Sequence, residues 1–293
     1  MIKNLVILAT ILIGIATAAA QDLSQIASAY NGENGKGYMQ PLGDCFGAAL
    51  SSGLNQTAQI HRSGLHIRFG LHTMTALVSD DQKTFTAKTQ GDFSPEQTAD
   101  APTIFGSTEG ASVVGVAGTG YLFPGGLDID RLPIAVPQVT IGSLRGTELV
   151  VRFIQMDLDD NFKELSLTGY GLRHSISQYV KTLPVDIAAA FFMQNFHVGD
   201  IVKASTLYYG VQVSKKFGIL TLYGGIGGGN AETQIEYVTE SKGDPETISF
   251  DLDSKTSIRF SAGYMLQAGP LFLHTDFNFG SSNVLALGLG FCF

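Results

Sequence analysis

The chain closes on an unbroken alternation, Asn283 to Phe293. In an extended strand, Leu285, Leu287, Leu289, Phe291 and Phe293 share one face, and Val284, Ala286, Gly288, Gly290 and Cys292 the other. A soluble sheet would bury the large residues. A barrel in a bilayer inverts that logic, turning large apolar residues to lipid and small or polar ones to the lumen. The pattern predicts a closing strand with its greasy face outward.

Similar segments recur upstream, each followed by a turn signal. Leu271–Phe279 precedes Gly280–Asn283, Ile258–Gln267 precedes Ala268-Gly269-Pro270, and Thr206–Ser214 precedes Lys215–Gly218 and a strand from about Ile219 to Ile226. Earlier segments are Ser63–Met74, Thr84–Lys88, one near Val113–Leu122, Val136–Gly142, Glu148–Gln155, Leu165–Leu172 and Val185–Asn195. They predict an all-β, transmembrane antiparallel barrel over residues 61–293, of about 12 strands with a range of about 10–14. Successive connections must alternate between the two ends. The turns at Ser143–Gly146, Lys215 and Ala268 fall on the side of the C-terminus, with a short helix expected in Ser175–Leu183. Gly280–Asn283, Glu240–Pro245, His197–Asp200 and Asp157–Asn161 fall on the other side.

Residues 21–60 do not alternate. Leu23, Ile26, Ala27 and Tyr30 have helical spacing, a Gly-rich break follows, and Pro41–Leu50 predicts a second, small-residue helix. This much apolar material suits an N-terminal helical plug inside the barrel; the other reading is a periplasmic extension. Residues 1–20 predict a signal peptide, with Lys3 ahead of an apolar stretch and Ala18-Ala19-Ala20 as the cleavage site.

Composition agrees with a barrel. The chain has 44% hydrophobic residues, 35 Gly and 19 Phe, with only 15% charged residues. After Gln21 no apolar run is long enough for a membrane helix. Net charge is -8 without a basic tract, which excludes nucleic acid as a partner.

Strand parity turns His66, Arg68, His72, Arg152, Asp186, Arg259, His274 and Asp276 inward. Lumenal charges need partners, so Arg–Asp networks that pack the lumen or hold the plug are expected; a pathway touching a substrate carboxylate is the functional reading. Cys45 in the plug and Cys292 on the closing strand could form a disulfide, or be two separate buried thiols. No metal-ligand spacing and no cofactor motif is present, and the glycines of Gly224–Gly229 lack the Lys-Ser/Thr of a phosphate loop. Ser261 and His274 share inward parity on neighbouring strands, which is too little to predict an enzyme.

The terminal Phe293 resembles the assembly signal of Gram-negative outer-membrane barrels, which implies an outer-membrane location, lipid contact and recognition by the barrel-assembly machinery. Tyr38–Leu42, Gly53–Ala58, Pro102–Gly106, Pro137-Gln138, Gly171–Ile176 and Leu183–Asp186 resemble a barrel family related to the FadL-type long-chain fatty-acid transporters. The resemblance implies a helical hatch in the lumen and passage of small hydrophobic molecules. The present chain is shorter. A barrel with a plugged lumen and a structural or surface-interaction role is the alternative.

Overall fold

Alternation becomes a wall. The computed structural model describes residues 30, 32–91, 93–157, 164–180, 182–199, 201–239 and 246–293. Ten antiparallel strands form a closed ring: β1 (Ser63–Leu77), β6 (Arg131–Leu144), β7 (Thr147–Asp157), β8 (Glu164–Ser175), β9 (Asp186–Val198), β10 (Val202–Phe217), β11 (Leu220–Thr239), β12 (Glu246–Ala268), β13 (Leu271–Phe279) and β14 (Asn283–Cys292). Each pairs with its sequence neighbour, and β1 closes the ring by pairing with both β14 and β6. Closure gives every strand of the ring a partner on both sides, with β6 meeting β7 only between Gln138 and Leu144. Beyond β14, Phe293 exchanges backbone hydrogen bonds with Ile67 at 2.8 and 2.9 Å, which fixes the end of the chain to the wall.

The predicted faces are the observed ones. Leu285, Leu287, Leu289 and Phe291 are exposed on the outside, while Val284, Ala286, Gly288 and Gly290 are buried within. Phe69, Phe153, Leu172, Phe191, Val211, Ile226 and Phe260 continue the outer apolar belt around the ring. The turns at Leu144–Thr147, Phe217–Leu220 and Ala268–Leu271 lie at the end where the chain terminates, called here the closing end. The Ser175–Asp186 connection joins them, and its expected helix is a single 3-10 turn at Ser177–Tyr179.

The count of about twelve needs correction. β2 (Thr84–Lys88) pairs with β3 (Thr98–Pro102), and β4 (Ala111–Val114) with β5 (Gly120–Phe123), as two hairpins outside the ring. Both lie in the connection between β1 and β6, at the far end. Their alternation is real, but strands of 4 or 5 residues are too short to cross a bilayer, which takes about 9–11.

The lumen is occupied. One helix, α1 (Gly32–Leu50), packs against inward-facing residues of β1, β6, β10, β11, β12 and β14. The expected break before Pro41 is helical, and its glycines explain why. A methyl on Gly35 would fall 2.1 Å from the Phe250 ring, one on Gly37 2.6 Å from Phe85, and one on Gly47 2.5 Å from the Ala231 Cβ. Close approach to the wall and to the β2 (Thr84–Lys88) hairpin overrides poor helix propensity. The start of α1 is tied to the hairpins by paired bonds between Asn34 and the Lys88 backbone and by Ile104 N–H to the Tyr38 carbonyl. Residues 51–62 then run on through the lumen, and Arg62 accepts from Gly146 N–H at the closing end. The predicted signal peptide, residues 21–29, the Glu240–Pro245 turn and most of Asp157–Asn161 lie outside the described residues.

Candidate functional site: the lumen beneath the helix

A helix leaves its last four carbonyls without intrahelical partners, and cations favour that end. α1 has no basic residue in its last turn; the wall supplies two. Gly47 and Ala49 accept from the backbone amides of Ser51 and Ser52. Ala48 accepts from Ser52 Oγ at 2.7 Å and from Arg259 Nη1 at 3.1 Å. Leu50 accepts from Arg152 Nη1 at 3.0 Å and Gln194 Nε2 at 2.6 Å. Arg152 Nη2 also donates to the Ser52 carbonyl at 2.9 Å, and its Nε to Gln138 at 2.8 Å. Arg152 stands on β7 and Arg259 on β12, five strands apart either way around a ring of ten. The two guanidiniums therefore clamp the helix end from opposite walls.

Below the clamp the segment stays laced to the wall. Asn55 donates to Ser261 Oγ at 3.2 Å, and Ala58 N–H to Ser214 Oγ at 2.9 Å. The Thr57 carbonyl accepts from Gln212 at 2.9 Å and from Arg173. Arg68 donates to Gln56 at 2.9 Å. Arg173 and His66 share Glu148, each at 2.8 Å, and all of Glu148 is buried. Among the described residues the buried charges are four arginines (68, 152, 173 and 259) and two acids, Glu148 and Asp276. Carbonyls of the lumenal segment make up the shortfall of negative charge.

A common construction brings these groups together: a glycine sits between two large side chains in one row of the sheet. Register aligns Arg152–Gly169–Gln194, His72–Gly288–His274 and Asp276–Gly263–Tyr223. Side chains on alternate strands then meet over the bare glycine. His66 and Glu148 meet in the same way over Gly142. The His row is the tightest: His72 Nδ1 lies 2.9 Å from His274 Nε2, and a methyl on Gly288 would sit 2.1 Å from that Nε2. Tyr223 donates to Asp276 Oδ2 at 3.1 Å, and its oxygen is 3.3 Å from His274 Nδ1. Every member of this cluster is buried.

All eight sequence-predicted residues are on inward positions, but they form separate groups. His72, His274 and Asp276 meet; Arg152 and Arg259 meet on α1; His66 joins Glu148; Arg68 binds Gln56; Asp186 stays near the closing end, apart from the rest. His274 turns to His72, and Ser261 to Asn55. Glu148, Arg173, Gln138, Gln194 and Tyr223 were missed. The Arg–Asp networks expected of the lumen are largely Arg–carbonyl and Arg–Gln contacts.

The disulfide expectation is overturned. Cys45 and Cys292 are free thiols. α1 enters from the far end, which leaves Cys45 beside Ser282, at the opposite end of β14 from Cys292. Nine residues of strand separate those ends by roughly 30 Å, against about 6 Å for a bridge. Burial pushes the Cys45 thiol up to about 11, so it should resist iodoacetamide in the folded protein at neutral pH. Both thiols should react after unfolding, and reduction should leave gel mobility unchanged. A single labelled thiol after unfolding would contradict this arrangement.

The fold and lumen define a closed ten-stranded antiparallel barrel occupied by its own N-terminal segment. The chain belongs to a family of unknown function (DUF6588), matched over residues 1–293. No curated protein sequence matches it. Among solved structures it is similar to Ail, the attachment invasion locus protein of Yersinia pestis, in complex with the heparin analogue sucrose octasulfate (9% identity, 79% of this chain and 100% of that chain, TM-score 0.29). It is also similar to a mutant porin of Rh. blastica (12% identity, 78% and 99%, TM-score 0.19) and to the CymD monoaromatic hydrocarbon channel (9%, 79% and 88%, TM-score 0.23).

Proposed function

We propose that this protein is a Gram-negative outer-membrane barrel that passes small hydrophobic molecules, with residues 32–60 as its plug. The outer apolar belt supports the membrane, because only a helix or a closed barrel satisfies its backbone there. None of the described helices is long and apolar enough to cross. Phe293, exposed at the closing end, suits the assembly machinery on the periplasmic side. The two hairpins and the start of α1 then face outward.

One observation carries the choice of cargo. Behind α1 the wall is apolar, with Val136, Leu167, Phe196, Ile235 and Leu252 buried in one cluster with the helix's Tyr38, Met39, Leu42 and Leu50. Withdrawal of α1 would leave an apolar vestibule open to the outside. Below Leu50 the wall mixes polar residues with a small apolar patch under Leu54 (Val150, Ala190, Phe192 and Tyr208), and there the segment is fastened by hydrogen bonds. The FadL-type resemblance points to the same class of cargo. The alternative, a sealed structural barrel, draws support from the bonds that hold residues 51–60 to β1, β8, β10 and β12.

The test is uptake of a hydrophobic fluorophore, N-phenylnaphthylamine, by cells whose outer leaflet excludes it. Expression of the full chain should raise uptake severalfold, and more so with Arg152→Ala/Arg259→Ala. Vector-level uptake with both forms, correctly inserted, would leave the structural role.

A further inference from the structure

Among the described residues no hydrogen bond joins the His72–His274 pair to the plug, yet the pair lies in the next row to the plug's seat. Gly53 packs on Met74 and Ala286, its Cβ position 3.3 and 3.4 Å from them and 3.4 Å from Arg152 Nη2. Met74 and Ala286 are the residues two positions on from His72 and two back from Gly288, facing the same way. Along that seat run Asp276, Gly263, Tyr223 and Ser214, and Ser214 accepts from Ala58 of the plug.

The geometry restricts the pair to a single shared proton. Two ring nitrogens 2.9 Å apart form a hydrogen bond only if one carries a hydrogen and the other does not. Tyr223 gives its hydroxyl proton to Asp276. The pair can therefore take one added proton, with His274 facing Asp276 Oδ2 at 3.6 Å. A second added proton would set N–H against N–H. The charged groups around His72 are Arg68 on its own strand, Arg152 from β7 and His274 and Asp276 from β13; Arg173 from β8 acts on Tyr223 from β11. Asp276 is the one acid among them, and Asn278 and Tyr223 already use it. Phe272 stacks on His274 and lies tilted against His72, so water has no ready place beside them.

We propose that this histidine pair is a proton switch that loosens the plug on acidification. The inference rests on residues 32–60 being a movable plug, but not on what the barrel carries. Seated, the pair can hold one proton fewer than the two rings can apart. Unseated, the N–H to N–H conflict is relieved and each ring can carry both of its protons at a pH in the ordinary range of a free imidazole, about 6.5. The unseated state then binds more protons, so seating weakens as pH falls below that range, by up to about tenfold per pH unit for each extra proton. Above it both states bind the same number and the dependence vanishes.

The experiment follows the plug rather than the cargo. A spin label is attached at Glu33→Cys, an exposed position on α1, in the full chain carrying Cys45→Ser and Cys292→Ser, reconstituted in phosphatidylcholine vesicles. The mobile fraction of its spectrum should rise at least severalfold from about pH 8 to about pH 5, and return on neutralisation. His72→Gln and His274→Gln should each flatten that rise. Gly288→Ala, which drives a methyl onto His274 Nε2, should raise the mobile fraction at pH 8 and leave little further change. A parent spectrum that ignores pH overturns the switch, as does an equal pH response in both Gln variants. Heat-modifiable migration in each variant shows that its barrel has closed. If the label responds while the fluorophore is still not taken up, the switch stands and the transport reading fails.

Discussion

Replacing Arg152 and Arg259 together with Ala should release α1 while the barrel stays closed. The double variant removes six hydrogen bonds, from Arg152 to Gln138, Gln194, Leu50 and Ser52 and from Arg259 Nη1 to the Ala48 carbonyl and Ser52 Oγ. Helix-end carbonyls left unsatisfied away from water cost roughly 1–3 kcal/mol each, and charged donors make the larger bonds. Gln194 still serves Leu50, and Ser52 Oγ still serves Ala48. The Ser52 carbonyl loses its arginine donor. A net loss of about 3–6 kcal/mol for seating the segment follows. No wall strand depends on these bonds, because backbone ladders hold β7 and β12 to their neighbours.

Hydrogen–deuterium exchange separates the two regions. Amides of residues 32–60 should lose protection by a factor of about a hundred or more, since each 1.4 kcal/mol is tenfold, while β13 and β14 keep theirs. Either single variant should show a smaller loss, because the opposing arginine still holds one side. Unchanged protection over 32–60 in the double variant would mean that the clamp contributes nothing to seating. Arg→Lys at both positions tests the geometry: a lysine carries the charge but lacks the planar fork whose two ends reach the Leu50 and Ser52 carbonyls. It should restore only part of the protection.

How much of this could be read in advance follows from what a single strand encodes. Parity has a period of two and needs no partner, so Arg68, His72, Arg152, Arg259, His274 and Asp276 could all be turned inward from their own segments. By the same parity Glu148 lines up with Arg152, and Arg173 with Gly169 and Gly171, so both were within reach. Partners were not. The glycine between His72 and His274 lies on a third strand, and only the register of β1, β14 and β13 sets it there. Likewise, no spacing along the chain shows that Arg152 would meet the Leu50 carbonyl. Thr84–Lys88 alternates as a wall strand does, and only its length separates it from one. Cys45 and Cys292 both face the lumen, but their distance depends on the direction of the plug, which the start of α1 under the far-end hairpins sets and no spacing along the chain shows.

Gly47 is the position where helix propensity and packing make opposite predictions. In an exposed helix interior, Gly→Ala stabilises by about 1 kcal/mol, because glycine has the larger conformational entropy to lose. Here the new methyl would lie 2.5 Å from the Ala231 Cβ, which has no rotamer to escape into. Overpacking of that kind costs about 1–3 kcal/mol, and Gly47→Leu should exceed it. Gly47→Leu should therefore strip protection from residues 32–60 as the arginine double variant does, and Gly47→Ala should do so more weakly. The contact suggests its own rescue. Ala231→Gly removes the opposing methyl from β11, so Gly47→Ala/Ala231→Gly should recover most of the protection that Gly47→Ala loses. Gly35→Ala is the contrast, since its methyl meets the tip of the Phe250 ring, which can swing aside more cheaply than an alanine Cβ. Its loss should be smaller than that of Gly47→Ala, although the starting contact is shorter. If Gly47→Ala instead strengthens protection, α1 does not press on β11, and the helix glycines are there for some reason other than close approach.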